Sequence, residues 1–377
     1  FTFLAVPLFV LAGEIMVRGG LIDRILNFAR ACVGHYRGGL AQVNILSSIV
    51  FAGISGSGQA DVAAMGSTMI PAMKKEGYPQ GFAAALTAVS ATLSPMIPPS
   101  IIMIVYGAVF GVPITALFAA GLSVGLLLGL AYMLITYGLV LLHDVPAYER
   151  ATWRDWLRAV REAIMPLGMP AIILGGIFSG LFTAVEAAAV AVAYALIVTM
   201  GVYRTIRFRD LMQISLDAAY TSAAVLILAG VAIAFSYIVA VQHVPSLVMG
   251  SIETVTDSEP LIITMIVIVL LLAGMFIGRT ANVLLFGPII IPIFYQFGYT
   301  PVHTCMIILM VLGVGHLTPP VGGTLLTAAL VGRVPLMEVL KYMWPHIIAE
   351  VVLSFMVIYF AWISNFLPWF FDLGGTW

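Results

Sequence analysis

The chain has 377 residues, of which 62% are hydrophobic and 9% charged, and its formal net charge is −1. Soluble domains carry about 25% charged residues, so this composition excludes an ordinary soluble protein and predicts an all-α polytopic membrane protein. Nothing in the charge balance indicates nucleic acid as a partner. The two cysteines, Cys32 and Cys305, form no metal-binding or redox spacing. Because the chain begins with Phe1 rather than Met, we expect its own start, and an N-terminal span with it, to be missing.

The first 75 residues predict a span, an interfacial helix and a hairpin. Residues 1–17 are typical of the end of a span, and 18–38 carry four arginines among apolar residues at helical spacing, which indicates a helix in the membrane interface. Residues 39–75 form two apolar arms around GISGSGQ. Each arm has about 15 residues, or about 22 Å of helix, which is too short for a hydrocarbon core of about 30 Å. We therefore predict a re-entrant hairpin whose tip lies partway through the membrane.

A full-length span follows at 79–111, and it is interrupted by SPMIPPS at 94–100. Proline has no N–H group, so the carbonyl groups of Ala91, Ser94 and Pro95 lose their helical partners. The two half-helices also present a dipole end each to the gap. Free carbonyl groups at such a break favour a cation, because hard cations prefer oxygen ligands.

The remaining chain supplies several spans and then repeats the hairpin plan. A second hairpin is predicted with arms at 261–275 and 281–297, and a second broken span at 301–332 is interrupted at 318–323. The other predicted elements are spans at 114–142, 166–182, 184–203, 211–240 and 343–366, and an amphipathic interfacial helix at 147–163.

The two hairpin units are copies of one unit. At a constant offset of 221 residues, Gly77-Tyr78 falls on Gly298-Tyr299 and Pro98-Pro99 on Pro319-Pro320. Two Pro-Pro pairs and two Gly-Tyr pairs in one ungapped register indicate an internal duplication, which is the plan of many secondary transporters.

The basic residues orient the two copies. With the first hairpin's feet in the cytoplasm, the loops on that side carry 15 of the 16 Lys and Arg residues. This is a positive-inside pattern, and it places the feet of the second hairpin on the opposite face. The repeats are therefore predicted to be inverted, as expected for alternating access around a central site.

The sixteenth basic residue, Arg279, lies in the predicted tip of the second hairpin. A charge at mid-membrane costs at least about 2.5–3.5 kcal/mol, so such a residue usually faces a cavity or a partner. Two interpretations stay open: a contact for an anionic substrate, or a structural pair with an acid or with helix C-terminal carbonyl groups.

Four motifs resemble the large membrane subunit of TRAP transporters, the tripartite ATP-independent periplasmic transporters. These are FAGISGSGQADVAAMGS, SPMIPPSIIMIVYG, FTAVEAAAVA and GHLTPPVGGTL. The resemblance covers essentially the whole chain. It implies an elevator-type sodium symporter in a bacterial inner membrane, with two or more Na+ ions as coupling ions. It also implies a small membrane subunit, a periplasmic substrate-binding protein, and organic acids as substrates.

The resemblance also implies site residues. One sodium site would involve Ser55, Gly56, Ser57, Asp61, Ser94 and Pro95. The other would involve Gly278, Thr280, Asn282, Gly315, Thr318 and Gly322. Substrate contacts are expected from Ser57, Ser100, Arg279, Thr280 and Thr324. The chain departs from the family at Gly278-Arg279, where an acid is often found, and a basic tip suits a carboxylate or sulfonate.

These inferences divide the chain into units. Residues 39–113 and 261–335 are predicted to be the two transport units, which together form the moving domain. The scaffold is predicted to comprise 1–38, 114–260 with its interfacial helix and linking spans, and 336–377. The arginine rows of the interfacial helices are expected to bind anionic lipid headgroups.

Several alternatives stay open. Proton coupling and an ion channel are rival functions, whereas an intramembrane enzyme is disfavoured because no HExxH, GxSxG or paired-aspartate motif occurs. Asp61 is expected to be an ion ligand, a helix cap, or both. Glu186 is expected to be a cap, and His316 is more simply explained as a packing residue than as a site residue. Three acids within apolar spans, Glu14, Asp217 and Glu350, are expected to pair with arginine or with the partner subunit.

Overall fold

The computed structural model describes residues 2–141 and 150–373, and these residues contain helices and no β-strand. The helices are α1 (Ala5–Arg18), α2 (Ile22–Val33), α3 (Gly39–Ser55), α4 (Gly58–Lys75), α5 (Gln80–Ser90), α6 (Ile101–Phe110), α7 (Ile114–Leu141), α8 (Trp153–Phe178), α9 (Ala184–Leu196), α10 (Phe208–Val241), α11 (Val244–Glu253), α12 (Glu259–Phe276), α13 (Arg279–Gln296), α14 (Pro301–Leu317), α15 (Gly323–Gly332), α16 (Leu336–Tyr359) and α17 (Trp362–Phe370). Six of them are long and apolar enough to cross a membrane, or seven if the bent pair α1–α2 is one span. The chain is therefore a multi-pass membrane protein.

The two predicted hairpin tips are helix breaks. Helix α3 ends at Ser55 and α4 begins at Gly58, while α12 ends at Phe276 and α13 begins at Arg279. At the first break Gly56 has φ +63°, a left-handed conformation that glycine adopts without a steric penalty. The arms have 17 or 18 residues, which corresponds to about 26 Å of helix.

The two proline-rich interruptions are also present. A 3-10 turn at Ala91–Leu93 ends the first half of the first broken span, and α6 resumes at Ile101. In the second, α14 ends at Leu317 and α15 resumes at Gly323. Each break contains a cis Pro-Pro peptide bond. The second arm of each hairpin packs against both broken spans: α4 against α5 and α15, and α13 against α14 and α6.

The basic loops lie together on one side of the molecule. Side chains and backbone groups from the segments near 24–30, 76–80, 162, 203 and 332 contact one another there. Burial raises the pKa of the Glu76 carboxyl group above its usual value, and the nearby Arg30 guanidinium partly offsets this rise. The other contacts are Arg24 over the ring of Tyr203, Tyr203 to the carbonyl oxygen of Glu162, and Gln80 to the carbonyl oxygen of Gly332.

The two feet of the second hairpin lie close to each other. The hydroxyl of Tyr106 on α6 donates to the carbonyl oxygen of Pro301 at 2.8 Å. Burial and the nearby carboxylate of Glu259 raise the pKa of Tyr299 to about 12. Glu259 at the first foot is thus a neighbour of Tyr299 beside the second, and the start of α14 contacts α6. The inverted arrangement of the two hairpins stays a prediction.

Three predicted boundaries are wrong. The interfacial helix predicted at 147–163 and the span at 166–182 are one helix, α8, whose start is capped by Thr152; residues 147–149 lie outside the described part of the chain. The helix continues through Pro166 and Pro170, although each proline removes a backbone hydrogen bond. Residues 241–260, for which no helix was predicted, contain α11, and the last predicted span is divided into α16 and α17.

We expect the two hairpin feet to label from opposite sides of the membrane. Lys75 at the foot of the first hairpin and Gln296 at the foot of the second are both exposed. In a variant without its two native cysteines, Gln296→Cys in intact cells should react with a membrane-impermeant maleimide, whereas Lys75→Cys should react only after permeabilisation. Equal labelling of both from outside would contradict the inverted arrangement.

Candidate functional site

The two hairpin tips and the two helix breaks meet at one cavity of about 230 Å³. Helix α10 forms the remaining wall. The lining residues are Gly56, Ser57, Gly58 and Gln59 of the first tip, Pro95, Ile101 and Ile102 of the first break, Gly278, Arg279, Thr280 and Ala281 of the second tip, His316 and Thr324 of the second break, and Thr221, Val225 and Leu228 of α10. Segments more than 200 residues apart in the chain therefore share one site.

A cluster of side-chain oxygens lies behind the first tip. The hydroxyl of Ser55 donates to one carboxylate oxygen of Asp61, and its oxygen lies 3.4 Å from the hydroxyl of Ser94. The backbone N–H of Ser57 donates to the same serine oxygen at 3.2 Å. Asp61 and Ser94 are fully buried, and the second carboxylate oxygen of Asp61 has no hydrogen-bond partner among the described residues.

Asp61 is not a helix cap. It lies in the first turn of α4, but the start of that helix has no side-chain cap, and the carboxylate accepts its hydrogen bond from a serine hydroxyl. A buried carboxylate with one free oxygen, beside two hydroxyl groups, is a suitable ligand set for a hard cation.

Glycine allows the first tip to contact the first break. A Cβ atom at Gly56 would lie 2.6 Å from the carbonyl oxygen of Pro99, and one at Gly58 would lie 2.7 Å from that of Ala91. Both distances are too short for a methyl group. The backbone of the tip is therefore held directly against carbonyl groups that the proline-rich break exposes.

The second tip has a different cluster. Asn282, which aligns with Asp61, donates from its amide nitrogen to the carbonyl oxygens of Ile277 at 2.8 Å and Ala273 at 3.3 Å. Its own side-chain oxygen is buried and has no partner among the described residues. The backbone N–H of Gly322 donates to the carbonyl oxygen of Met275 at 3.2 Å, which joins the second break to the tip.

Other predicted members of the second site have structural contacts. The hydroxyl of Thr318 donates to the carbonyl oxygen of Val314 at 2.7 Å, as in many helix ends. Gly315 packs against Gly274, where a Cβ atom would lie 2.8 Å from the backbone. Thr280 and Gly278 line the central cavity instead of the buried cluster around Asn282.

Four of the five residues expected to contact substrate line the cavity: Ser57, Arg279, Thr280 and Thr324. The fifth does not. The side chain of Ser100 is buried and accepts a hydrogen bond from the backbone N–H of Met103 at 3.4 Å, so it caps α6. Its position before a helix is sufficient to explain this role.

Arg279 is 6% exposed and has no carboxylate within 4.0 Å among the described residues. One guanidinium nitrogen donates to the carbonyl oxygen of Thr92 at 3.5 Å, and the other two nitrogens have no partner in the described part of the chain. A direct ion pair with an acid is thus not formed, and the residue lines the cavity with two buried guanidinium nitrogens that have no partner among the described residues.

The sequence matches a known family of membrane transport proteins. The sequence model of "Tripartite ATP-independent periplasmic transporter, DctM component" matches residues 1–363. The chain belongs to this family. It is therefore a large permease of the TRAP type, a membrane transport protein and not an enzyme.

Curated relatives span nearly the whole permease. It is 37% identical to the C4-dicarboxylate TRAP transporter large permease of Pseudomonas aeruginosa, over 98% of this chain and 86% of that protein. It is 36% identical to the sialic acid TRAP transporter large permease of Vibrio cholerae, over 98% and 86% of the two chains. It is 35% identical to the ectoine/5-hydroxyectoine permease of Ruegeria pomeroyi, over 97% and 85%.

Some residues that line the cavity were not predicted from the sequence, whereas Glu186 has the helix-capping role that was predicted for it. His316 lines the cavity, and its backbone oxygen accepts a hydrogen bond from the Thr324 hydroxyl at 2.9 Å. Gln59 and Thr221 gave no signal, since each is a single polar residue without a motif. Glu186 forms the expected capping box with Thr183.

The three acids within spans have different partners. Glu14 and Asp217 both pair with Arg18, which joins α1 to α10. Glu350 is fully buried on α16 and accepts a hydrogen bond from Tyr132 on α7 at 2.8 Å.

The close approach at Gly56 can be tested against a matched glycine. Gly77→Ala pays the left-handed backbone cost of about 1–2 kcal/mol but meets nothing within 4 Å, whereas Gly56→Ala also meets the Pro99 carbonyl oxygen, which adds about 1–3 kcal/mol. Thermal unfolding of the purified permease should show the larger loss at Gly56. Equal losses at the two positions would contradict the packed tip.

Proposed function

We propose that this permease carries a small organic anion across the bacterial inner membrane, driven by Na+ and supplied by a periplasmic binding protein. The observation that supports it is the central cavity between the two hairpin tips, which is lined by Arg279, a buried cation with two nitrogens that have no partner among the described residues. Two relatives are named for dicarboxylates and for sialic acid, which are carboxylates. A guanidinium binds carboxylate or sulfonate groups through charge-assisted, often bidentate hydrogen bonds. A small membrane subunit would complete the assembly.

The cluster at Ser55, Asp61 and Ser94 is the proposed main sodium site. It offers one carboxylate and hydroxyl oxygens at full burial, and the carboxylate keeps one oxygen free. Asn282 is the proposed centre of a second site, since it keeps one buried oxygen free at the aligned position. Oxygen ligands from carboxylate, hydroxyl and amide groups suit a hard cation. Na+ is proposed to be a transported ion and not a resident cofactor.

Proton coupling is the second candidate, because a buried carboxylate with a free oxygen is also suited to carry a proton. The two candidates differ in the ligand set. A proton carrier requires only Asp61, whereas a sodium site also requires the hydroxyls of Ser55 and Ser94, which lie on different helices and converge on the carboxylate.

The transport step is proposed to be an elevator movement. The hairpins are predicted to open to opposite sides and their tips meet at one cavity, so each tip is proposed to reach only partway across the membrane. Irregular backbone at that depth is tolerated because it is buried in protein or lines the cavity. Such an inverted pair around a central site is the arrangement of alternating-access transporters.

Packing favours a larger moving body than the sequence suggested. Helix α7 packs against α3, α14, α16 and α17, and α16 packs against α5 and α14, so we propose that both move with the hairpin units. The sequence had assigned them to the scaffold. In the proposed scaffold, α1 contacts α9 and α10, and α8 contacts α2 and α9. Its α2 and α10 also contact α3 and α13 of the hairpins.

Removing an oxygen ligand should weaken Na+ activation. Asp61→Asn and Ser55→Ala are each expected to raise the half-saturating Na+ concentration for uptake into proteoliposomes by about tenfold or more, since about 1.4 kcal/mol of lost binding is a factor of ten. Ser67→Ala is the control, because Ser67 is exposed on the same helix and bonds only to the carbonyl oxygen of Ala64. It should leave Na+ activation unchanged.

Proton coupling gives a different result. In that case Asp61→Asn would abolish uptake, while Ser55→Ala would leave the Na+ dependence unaltered and uptake would follow an imposed pH gradient without Na+.

Removing the guanidinium should weaken anion binding. A hydrogen bond to a charged group contributes about 1.5–3 kcal/mol, so Arg279→Gln is expected to raise the KM for the transported organic acid about 10- to 100-fold. Arg279→Lys should give an intermediate KM, because it keeps the charge but not the planar donor pair. Succinate is the first substrate to assay. An unchanged KM in Arg279→Gln would remove Arg279 from the substrate site.

A further inference from the structure

The buried guanidinium of Arg279 forms no ion pair with a described carboxylate. Arg279 is at the first position of α13, where the helix dipole is positive and disfavours a cation. Its single hydrogen bond, to the Thr92 carbonyl oxygen, is long at 3.5 Å. A buried cation without a countercharge is strongly destabilising, so the empty site needs a negative charge near by.

A chain of polar contacts leads from Thr92 to a buried acid. The hydroxyl of Thr92 lies 3.0 Å from the hydroxyl of Tyr132, and Tyr132 donates to Glu350 at 2.8 Å. Tyr132 donates to Glu350, whereas the Thr92 hydroxyl donates to the carbonyl oxygen of Val89 at 2.8 Å, so Thr92 and Tyr132 are polar neighbours and not consecutive donors. The chain joins the first break to α7 and α16, and its threonine is the residue whose carbonyl group holds Arg279.

Glu350 has no other neutralising partner in the described part of the chain. It is fully buried, its second oxygen packs against Gly313 on α14, and that oxygen has no hydrogen-bond partner among the described residues. No Lys, Arg or His lies within 4.0 Å of its carboxylate there. Tyr132 bonds to Glu350 and lies 3.0 Å from the hydroxyl of Thr92, whose carbonyl oxygen accepts from Arg279, so only two residues separate the two charges.

We propose that Glu350 is the fixed countercharge of Arg279, a positioning residue that acts through Tyr132 and Thr92 to balance the guanidinium while the substrate site is empty. Glu350 does not itself line the cavity. The proposal rests on the proposed function only for what Arg279 binds; the charge balance between the two residues stands without it.

The separation of the two charges has a mechanistic consequence. Because Glu350 balances Arg279 without contacting it, the unpartnered guanidinium nitrogens are not occupied by a carboxylate of the protein and can turn to an incoming carboxylate or sulfonate. When the substrate leaves, the moving body still carries a balanced pair and can return through the membrane without an exposed net charge in its centre. Removing Glu350 should therefore impair the empty permease more than the loaded one.

A double-mutant cycle without substrate tests the charge balance. Glu350→Gln and Arg279→Gln should each lower the thermal unfolding temperature of the purified permease by about 5 °C, since each leaves one buried charge unbalanced. The double variant should unfold at a higher temperature than either single variant. Losses that simply add in the double variant would overturn the proposal.

The chain offers a matched control on the same two helices. Thr136 on α7 and His346 on α16 are buried and hydrogen-bonded at 2.9 Å, but neither reaches Arg279. Thr136→Val should therefore give the same loss with or without Arg279→Gln. If Glu350→Gln does not yield folded protein, Tyr132→Phe keeps both charges and removes only the hydroxyl between them; its effect should shrink in the Arg279→Gln background, and an unchanged effect there would count against the proposal.

Uptake of succinate by the reconstituted transporter separates this inference from the proposed function. Glu350→Gln should lower turnover about fivefold or more while KM stays equal or falls, and adding Arg279→Gln should restore turnover while KM rises. A rise of KM with unchanged turnover in Glu350→Gln would overturn the proposed role in the empty state. If the wild-type protein does not take up succinate, the proposed substrate class fails, and the unfolding cycle still decides whether the two charges are coupled.

Discussion

The fold depends on one constraint: backbone that leaves a helix inside the membrane must find partners within the protein. Four helices of this permease end near the same cavity, two at the hairpin tips and two at the proline-rich breaks. The protein meets the constraint by setting tip against break. The N–H of Gly322 bonds to Met275 in the second tip, and Gly56 brings the first tip against the carbonyl oxygen of Pro99. The residues proposed to bind ligands therefore lie where the backbone groups of the tips and breaks find their partners.

The sequence was sufficient for features with a local cause. Glycine at the tips and paired prolines in the breaks favour helix ends, and the predicted duplication places them twice, so both tips and both breaks were predictable. A lone proline is not sufficient to end a helix, since α8 continues through Pro166. The contacts between Thr92, Tyr132 and Glu350 were not predictable, since three lone polar residues on separate helices leave no periodic pattern.

The duplication preserved backbone geometry but not chemistry. Asp61 and Asn282 occupy aligned positions, yet one is a carboxylate beside hydroxyl groups and the other an amide bonded to the carbonyl groups of its own tip. Gly58 aligns with Arg279, and the carbonyl oxygen of Ala91 leaves no room for a side chain at the first of these. An arginine was thus sterically possible in the second tip only. Two copies of one unit therefore supply a more anionic cluster on one side of the cavity and a cationic group on the other.

Four residues of the tips and the second break have a buried polar atom without a partner among the described residues: Asp61, Arg279, Asn282 and His316. A buried polar group without a partner is costly, and each is more readily tolerated if a ligand supplies the partner for part of the cycle. Ions and anion that bind here would stabilise the folded protein by mass action. The proposed sites for cation and anion adjoin through the tips, so filling one would lower the electrostatic cost of filling the other. Under the proposed function, coupling between the ion and the anion would follow from charge balance between the cluster behind the first tip and the cavity beside it.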